Sequence, residues 1–513
     1  MKKNLLLVLL LSTGVAVAQK DDAAVKHAEL ITVSSMKEKL TILASAEMEG
    51  RETATPGQKK AAAFIEERFR KMGLKPGNGS SYQQMYPVYR DELTSKELSV
   101  NGQHFEWDKD FSLSMRGLAF GNWSYTNTVF AGYGIVDSAN RINDLAGLDV
   151  KGKMVIVMDG APAGYKAPEG SGRRFFSPAS LNGKITAARR AGAAGVLMVT
   201  NDFPKKNASA TKGEMYLKAN ATGFPMVNIS AKVASALIGR TTALSFDALK
   251  EVPKSSYTAE LKLVTAKNTE TLESSNVIAI LPGTDKKEEY VFLTGHYDHL
   301  GKRGEVIYYG ADDDGSGTVG VMQMAEAFTA AAKKGDRPRR SIVFMAFSGE
   351  EKGLWGSEYY SEHPVYPMEK TSVNLNTDMI GRVDTERKTA DSLNYIYVIG
   401  HDKLSSELQV INESVNQKYT GLTLDYKYDD PKDQNQIYYR SDHYNFAKKG
   451  VPILFFYDGM LQADYHKPTD TVDKIYFELM EKRTKLVFHT AWVMANKDDM
   501  LKRDTPLNMP NSR

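Results

Sequence analysis

The chain has 513 residues, with 66 Lys and Arg against 63 Asp and Glu, a formal net charge of +3, and no cysteine. Charge of both signs is spread along the length, so nothing marks a nucleic-acid or anionic-membrane footprint. The absence of cysteine excludes disulfides, thiolate ligands, a cysteine nucleophile and a lipid-modified cysteine, and the length leaves room for roughly three domains or one large core with an insertion.

Met1-Lys2-Lys3, the apolar run Leu5 to Leu11 and the Ala16-x-Ala18 site read as a secretory signal over residues 1–18. It is too short and too weakly flanked to be a membrane anchor, and no later run is long and apolar enough to span a bilayer. The mature chain is therefore expected to begin at Gln19 and to be exported, to a periplasm or beyond. Helix-spaced apolar residues (Met36, Leu40, Leu43) follow, then the polar break Glu47 to Arg51. Thr55-Pro56 opens a second helix with Ala61, Ile65 and Phe69 on one face, and Gly73 ends it. From Tyr82 to Met115 short alternating runs and the Asn101-Gly102 turn predict strands and hairpins.

The texture changes from about Asn127 to Leu263. Thr128 to Ile135, Met154 to Met158, Val196 to Val199 and Met226 to Ile229 are strand-like runs between glycine-rich turns, with one amphipathic helix over Lys184 to Ala194. This stretch contains no histidine and no cluster of acids, so it reads as a separate small α/β module without chemistry of its own. Beyond it, apolar runs recur at Val277–Leu281, Tyr290–Leu293, Ile342–Phe347, Val373–Leu375, Tyr395–Ile399 and Val451–Phe456. Helix-like segments separate several of them, which predicts a largely parallel sheet covered by helices.

Chemistry stands at the ends of those runs. Tyr290–Leu293 leads to His296, Asp298 and His299, and then to Gly310-Ala311-Asp312-Asp313-Asp314-Gly315-Ser316-Gly317. Ile342–Phe347 leads to Glu350-Glu351, Val373–Leu375 to Asp378, and the last run to Asp458 and then His466. In an open α/β sheet the ligand crevice lies at the carboxyl ends of the strands, so residues far apart in the chain converge there. Adjacent carboxylates repel one another unless a cation sits among them, and imidazole with carboxylate suits a divalent metal such as zinc. Two histidines and three carboxylates, with Asp313 shared, would serve two metals with one histidine and one private carboxylate each, leaving room for a bridging water. Glu350 and Glu351 are neighbours whose side chains diverge, so one can bind metal while the other acts as base. Asp298, two residues past His296, is placed to orient that imidazole. His299 is surplus to the ligand count.

The ordered set HYD (296–298), GADDDGSG, GEE (349–351), NTDMIG (376–381), SDH (441–443) and YHKPTD (465–470) resembles the co-catalytic di-zinc aminopeptidases of peptidase clan MH, a group that also holds glutamate carboxypeptidase and the inactive transferrin receptor ectodomain. The module at 127–263 resembles the protease-associated (PA) domain carried there by many relatives. The resemblance implies an α/β zinc-exopeptidase-like fold, with a central mixed, largely parallel sheet flanked by helices and a catalytic domain in two segments, 19–126 and 264–513. It implies two zinc ions (Zn2+) per chain: His296 and Asp378 on one, Glu351 and His466 on the other, Asp313 bridging and Glu350 as general base. It also points to Tyr438 as an oxyanion stabiliser and to His443 near the site. The implied activity is a metallo-aminopeptidase acting on peptides. A carboxypeptidase, amidase or glutaminyl cyclase on the same site, or a binding protein on a retired peptidase scaffold, are the alternatives.

Overall fold

The computed structural model describes residues 21–113, 115, 120–168, 177–218, 224–389 and 391–509. The expected signal segment 1–18 lies outside the described residues. No described helix is long and apolar enough to cross a membrane. The chain forms two compact units, one from residues up to Tyr86 together with Glu273–Arg513, the other from Pro87–Leu272.

The first unit is a sheet between helices. Its strands are β1 (Ser255–Leu281, of which the last residues lie here), β2 (Lys286–His296), β3 (Arg340–Phe347), β4 (Thr371–Thr377), β5 (Tyr395–Ile399), β6 (Thr423–Asp425) and β7 (Ile453–Tyr457). They lie in the order β6-β5-β7-β4-β2-β3-β1. The four central strands β7, β4, β2 and β3 are parallel, β5 and β6 are parallel to each other, and β1 and β5 run antiparallel to their central neighbours. The apolar runs read from the sequence thus fall in strands, with Val451 and Pro452 of the last run preceding β7. Because successive side chains point to opposite faces, Val291 and Leu293 enter one core while Tyr290 and Phe292 enter the other. The first core is filled from α1 (Val33–Leu43), α2 (Pro56–Met72), α3 (Gly317–Lys333) and α4 (Phe477–Asn496) by Leu40, Ile65, Phe69, Phe328 and Phe488. Proline at the start of α2 and Gly73 in the left-handed region (φ 85°) at its end mark the bounds predicted for it.

The second unit holds strands Gly121–Phe130, Met154–Met158, Gly195–Val199 and Met226–Ile229, with helix Leu181–Arg190 among them. It is larger than the 127–263 module expected. Gln83–Val100 and Gln103–Phe105 form a hairpin around Asn101-Gly102, and Phe111–Leu113 pairs with Met226–Ile229. Leu98, Phe105, Phe111 and Leu113 then share a core with Phe130, Ile156 and Leu197. The segment from Pro87 therefore packs in this unit and not with the catalytic segment 19–126, since its apolar residues are needed to close this core. The expected run to Ile135 also stops short: the strand ends at Phe130, and Gly132 and Gly134 turn the chain at positive φ.

The polar break before α2 conceals a structural anchor. Arg51 is fully buried, and its guanidinium donates to the carbonyls of Tyr297 (2.7 Å), Leu43 (2.9 Å), Tyr309 (2.7 Å) and Gly310 (2.8 Å). It thereby ties the end of β2 to the loop that carries Asp312 to Asp314. Replacing it leaves these acceptors without a donor in the interior. We expect Arg51→Leu to cost about 3 kcal/mol or more, read from denaturant midpoints, against about 0.5 kcal/mol or less for the surface change Arg68→Leu.

Candidate metal centre

Parallel pairing of β3, β2, β4 and β7 aligns their carboxyl ends, and the residues beyond them meet there. His296 is the last residue of β2, Glu350 and Glu351 follow β3, Asp378 follows β4, and His466 stands in the loop after β7. Asp313 enters from the segment Ala311–Ser316 that precedes α3. Its two oxygens face different histidines: Oδ1 is 3.3 Å from His296 Nε2 and Oδ2 is 3.2 Å from His466 Nε2. Asp378 Oδ1 is 3.5 Å and Glu350 Oε2 3.8 Å from His296 Nε2, and Glu351 Oε2 is 3.0 Å from His466 Nε2. Two half-sites share one carboxylate.

The neighbours of Asp313 do different work. Asp314 accepts from the backbone amides of Gly317 (2.8 Å), Met379 (3.0 Å) and His296 (3.0 Å), tying α3 to the ends of β4 and β2. Asp312 accepts from Gly381 N–H at 2.8 Å. Asp470 in turn takes the amides of Asp312 and Asp313 at 3.1 Å. Of three consecutive acids, only Asp313 faces the histidines. Burial pushes Asp312 and Asp314 well above the usual carboxylate range, with nearby Asp458 and Asp378 adding to the rise.

Asp298 supports His296 by a different atom than its position suggested. His296 Nδ1 lies 3.2 Å from the backbone carbonyl of Asp298 and 3.7 Å from its carboxylate. That carboxylate accepts instead from Thr53 Oγ1 (2.7 Å) and from the amide of Glu350 (3.3 Å), which fixes the turn carrying the two glutamates. His299 Nδ1 sits 2.7 Å from Glu351 Oε1, on the opposite oxygen from His466. His443 is fully buried, with Nε2–H donating to the Tyr438 carbonyl (2.8 Å) and the ring stacked on Phe455 at 4.5 Å. Burial holds it neutral, its pKa pushed down to about 3. It is a packing residue beneath the site wall.

Tyr438 is the reading that the structure corrects. It is buried, with its ring under Lys403, and it does not line the pocket at the site. Tyr465 does: it lines the pocket with Asp313, Glu350 and Asp378, and stacks on His466 at 3.8 Å. Tyr438 is turned inward in the short helix Ile437–Tyr439, whereas Tyr465 lies in the loop that delivers its chain neighbour His466. That adjacency was visible in the sequence.

The residues fit a divalent cation. Side chains of His296, Asp313, Glu351, Asp378 and Glu350 are 1%, 4%, 3%, 9% and 12% exposed, so water does not neutralise the charge. His296 Nε2, Asp313 Oδ2 and Glu351 Oε1 are buried without a hydrogen-bond partner. Desolvation opposes protonation of His296, yet Asp378, Glu350 and the other surrounding carboxylates hold it well above the ordinary imidazole value. Protons stand in for cations. A further grouping, His401 with Asp402 and Asp429, is already neutralised by Lys403 Nζ at 2.6 and 2.7 Å from the two acids.

Residues 276–491 match the family model for peptidase family M28, and residues 122–237 that for the PA domain. The chain carries an M28 peptidase domain preceded by a PA domain. A probable leucine aminopeptidase of Arthroderma otae is 30% identical over 225 residues, 43% of this chain and 57% of that protein. Aminopeptidase YwaD of Bacillus subtilis is 26% identical over 359 residues, 68% of this chain and 64% of that protein. The chain thus spans 57% and 64% of the length of these curated relatives. Among solved structures, an aminopeptidase from Aneurinibacillus sp. strain AM-1 superposes with a TM-score of 0.53 at 20% identity, covering 96% of this chain and 100% of that one. A zinc aminopeptidase from Bacillus subtilis gives 0.52 at 22%, covering 93% and 99%. These two likenesses establish the fold.

A cation that binds the folded M28 domain and not the unfolded chain stabilises it by mass action. Stripping the protein with a chelator is therefore expected to lower its thermal midpoint, and added zinc to restore it; a midpoint indifferent to both would contradict a metal centre here.

Proposed function

We propose that this chain is an exported, two-zinc aminopeptidase that releases N-terminal residues from peptides. The observation that carries this reading is the split of Asp313 between two histidines, 3.3 Å and 3.2 Å from its two oxygens. His296 and Asp378 would hold one zinc and Glu351 and His466 the other, with Asp313 shared between them. The set is complete, which favours an enzyme over a retired scaffold. Export rests on the signal-like segment 1–18 and on nothing beyond it.

Zinc held by these side chains would supply Lewis acidity and make a water acidic enough to act as nucleophile near neutral pH. Glu350 is not needed to complete either half-site. It lines the cleft with Asp313 and Asp378, where it can take a proton from the attacking water and return it to the leaving amine. Tyr465 receives a hydrogen bond from the Arg440 guanidinium at 2.9 Å, so its own O–H stays free to donate to the carbonyl oxygen as charge develops there. Ile437, Phe455, Tyr457 and Leu461 add apolar surface to the cleft.

The neighbouring glutamates should fail differently. Glu350→Gln is expected to keep both zincs and substrate affinity while turnover of an aminoacyl anilide falls on the order of a hundredfold to ten-thousandfold. Glu351→Ala is expected to lose zinc from one half-site, with activity falling as a consequence. Elemental analysis beside the kinetics separates them, and the reverse pattern would overturn the assignment.

The two histidines on Glu351 give a second check. His466→Ala is expected to leave one zinc per chain, whereas His299→Ala retains two. Equal zinc content in both variants would show that the second half-site is drawn wrongly.

A further inference from the structure

Among the described residues of the first unit, the buried arginines Arg51, Arg340, Arg382 and Arg483 face carbonyls or carboxylates, and the half-buried Arg440 differs from them. Arg51 donates to four carbonyls. Arg340 pairs with Glu289 at 2.7 Å, Arg382 with Asp464 at 2.9 Å, and Arg483 lies 3.8 Å from Asp458 while donating to three carbonyls. Arg440 is half-buried in the wall of the pocket at the metal centre. Among the described residues its one side-chain hydrogen bond goes to Tyr465 Oη, at 2.9 Å, and it has no ion pair within 4 Å. A guanidinium carries five N–H donors in a planar fork matched to carboxylate. In Arg440, four of them have no acceptor among the described residues.

The surroundings say what could complete it. Ile437, Phe455, Tyr457 and Leu461 line this pocket with Arg440, together with Asp313, Glu350 and Asp378 of the metal centre. A pocket meant for an aliphatic side chain gains nothing from a guanidinium and must desolvate it. A ligand with methylene groups for the walls and a carboxylate for the fork satisfies both.

We propose that Arg440 binds a carboxylate of the substrate, making this pocket selective for acidic substrates over apolar ones. The proposal rests on the peptidase reading above and names the substrate class of that same site. The carboxylate has two sources, an acidic side chain on the N-terminal residue or the C-terminal carboxylate of a dipeptide.

The test uses isosteric pairs on the zinc-loaded protein and on Arg440→Met, which keeps apolar volume and removes the charge. Glutamyl and glutaminyl p-nitroanilides differ only in the side-chain carboxylate; Leu-Gly and Leu-Gly-amide differ only in the terminal one. One pair is expected to show a carboxylate preference in kcat/KM that Arg440→Met erases, a loss on the order of a hundredfold in the ratio. Whichever pair responds identifies the source. Since Arg440 also holds Tyr465, all rates can fall together, and a variant that lowers both members of both pairs by the same factor overturns the proposal. If the wild-type protein cleaves none of the four compounds, the peptidase reading fails, and calorimetric binding of free glutamate against free glutamine decides Arg440 separately. Weaker glutamate binding in Arg440→Met alone supports the carboxylate site; unchanged discrimination refutes it.

Discussion

Four carboxylates that face one another where water is largely excluded set the terms for the rest of this fold. Asp313, Glu350, Glu351 and Asp378 are each no more than 12% exposed. Such a group of like charges cannot all ionise without compensation, and the energy at stake grows as the surroundings become less polar. The protein answers in two ways. Acids that do not face the centre are consumed by backbone amides, as Asp314 and Asp470 are, so they fix geometry. Those that do face it are left with the imidazoles of His296, His299 and His466 and, on our reading, two cations.

The scaffold makes that concentration of charge affordable by position. Parallel strands β3, β2, β4 and β7 end together, and each delivers its residue from a backbone held on both sides. Arg51 then straps β2 to the aspartate loop from behind, where its charge also opposes that of Asp470, Asp298, Asp313 and Asp314. The centre is assembled from one unit: none of these residues falls within Pro87–Leu272.

Strand ends and ligand-type residues were legible because both are local signals, an apolar run and the residue that follows it. His296, Glu351 and Asp378 could be placed from such patterns, and the structure brings them together. What the sequence hid is long-range. Arg51 looks like a surface residue in a polar break, and only the fold reveals four carbonyls converging on it. Asp312, Asp313 and Asp314 look equivalent as a run, and which one faces the histidines depends on amides from Gly381, Met379 and His296. Tyr438 and Tyr465 differ only in which way their backbones turn. The boundary of the second unit was misplaced for the same reason, since Phe111 and Leu113 reveal their partner strand only through pairing with Val227 and Ile229.

Anomalous diffraction at the zinc edge, from crystals of the zinc-loaded protein, tests the central claim most directly. The account predicts two peaks on either side of the Asp313 carboxylate, ~3.5–4 Å apart, one beside His296 and Asp378 and the other beside Glu351 and His466. A single peak, or a pair that does not share Asp313, would contradict it.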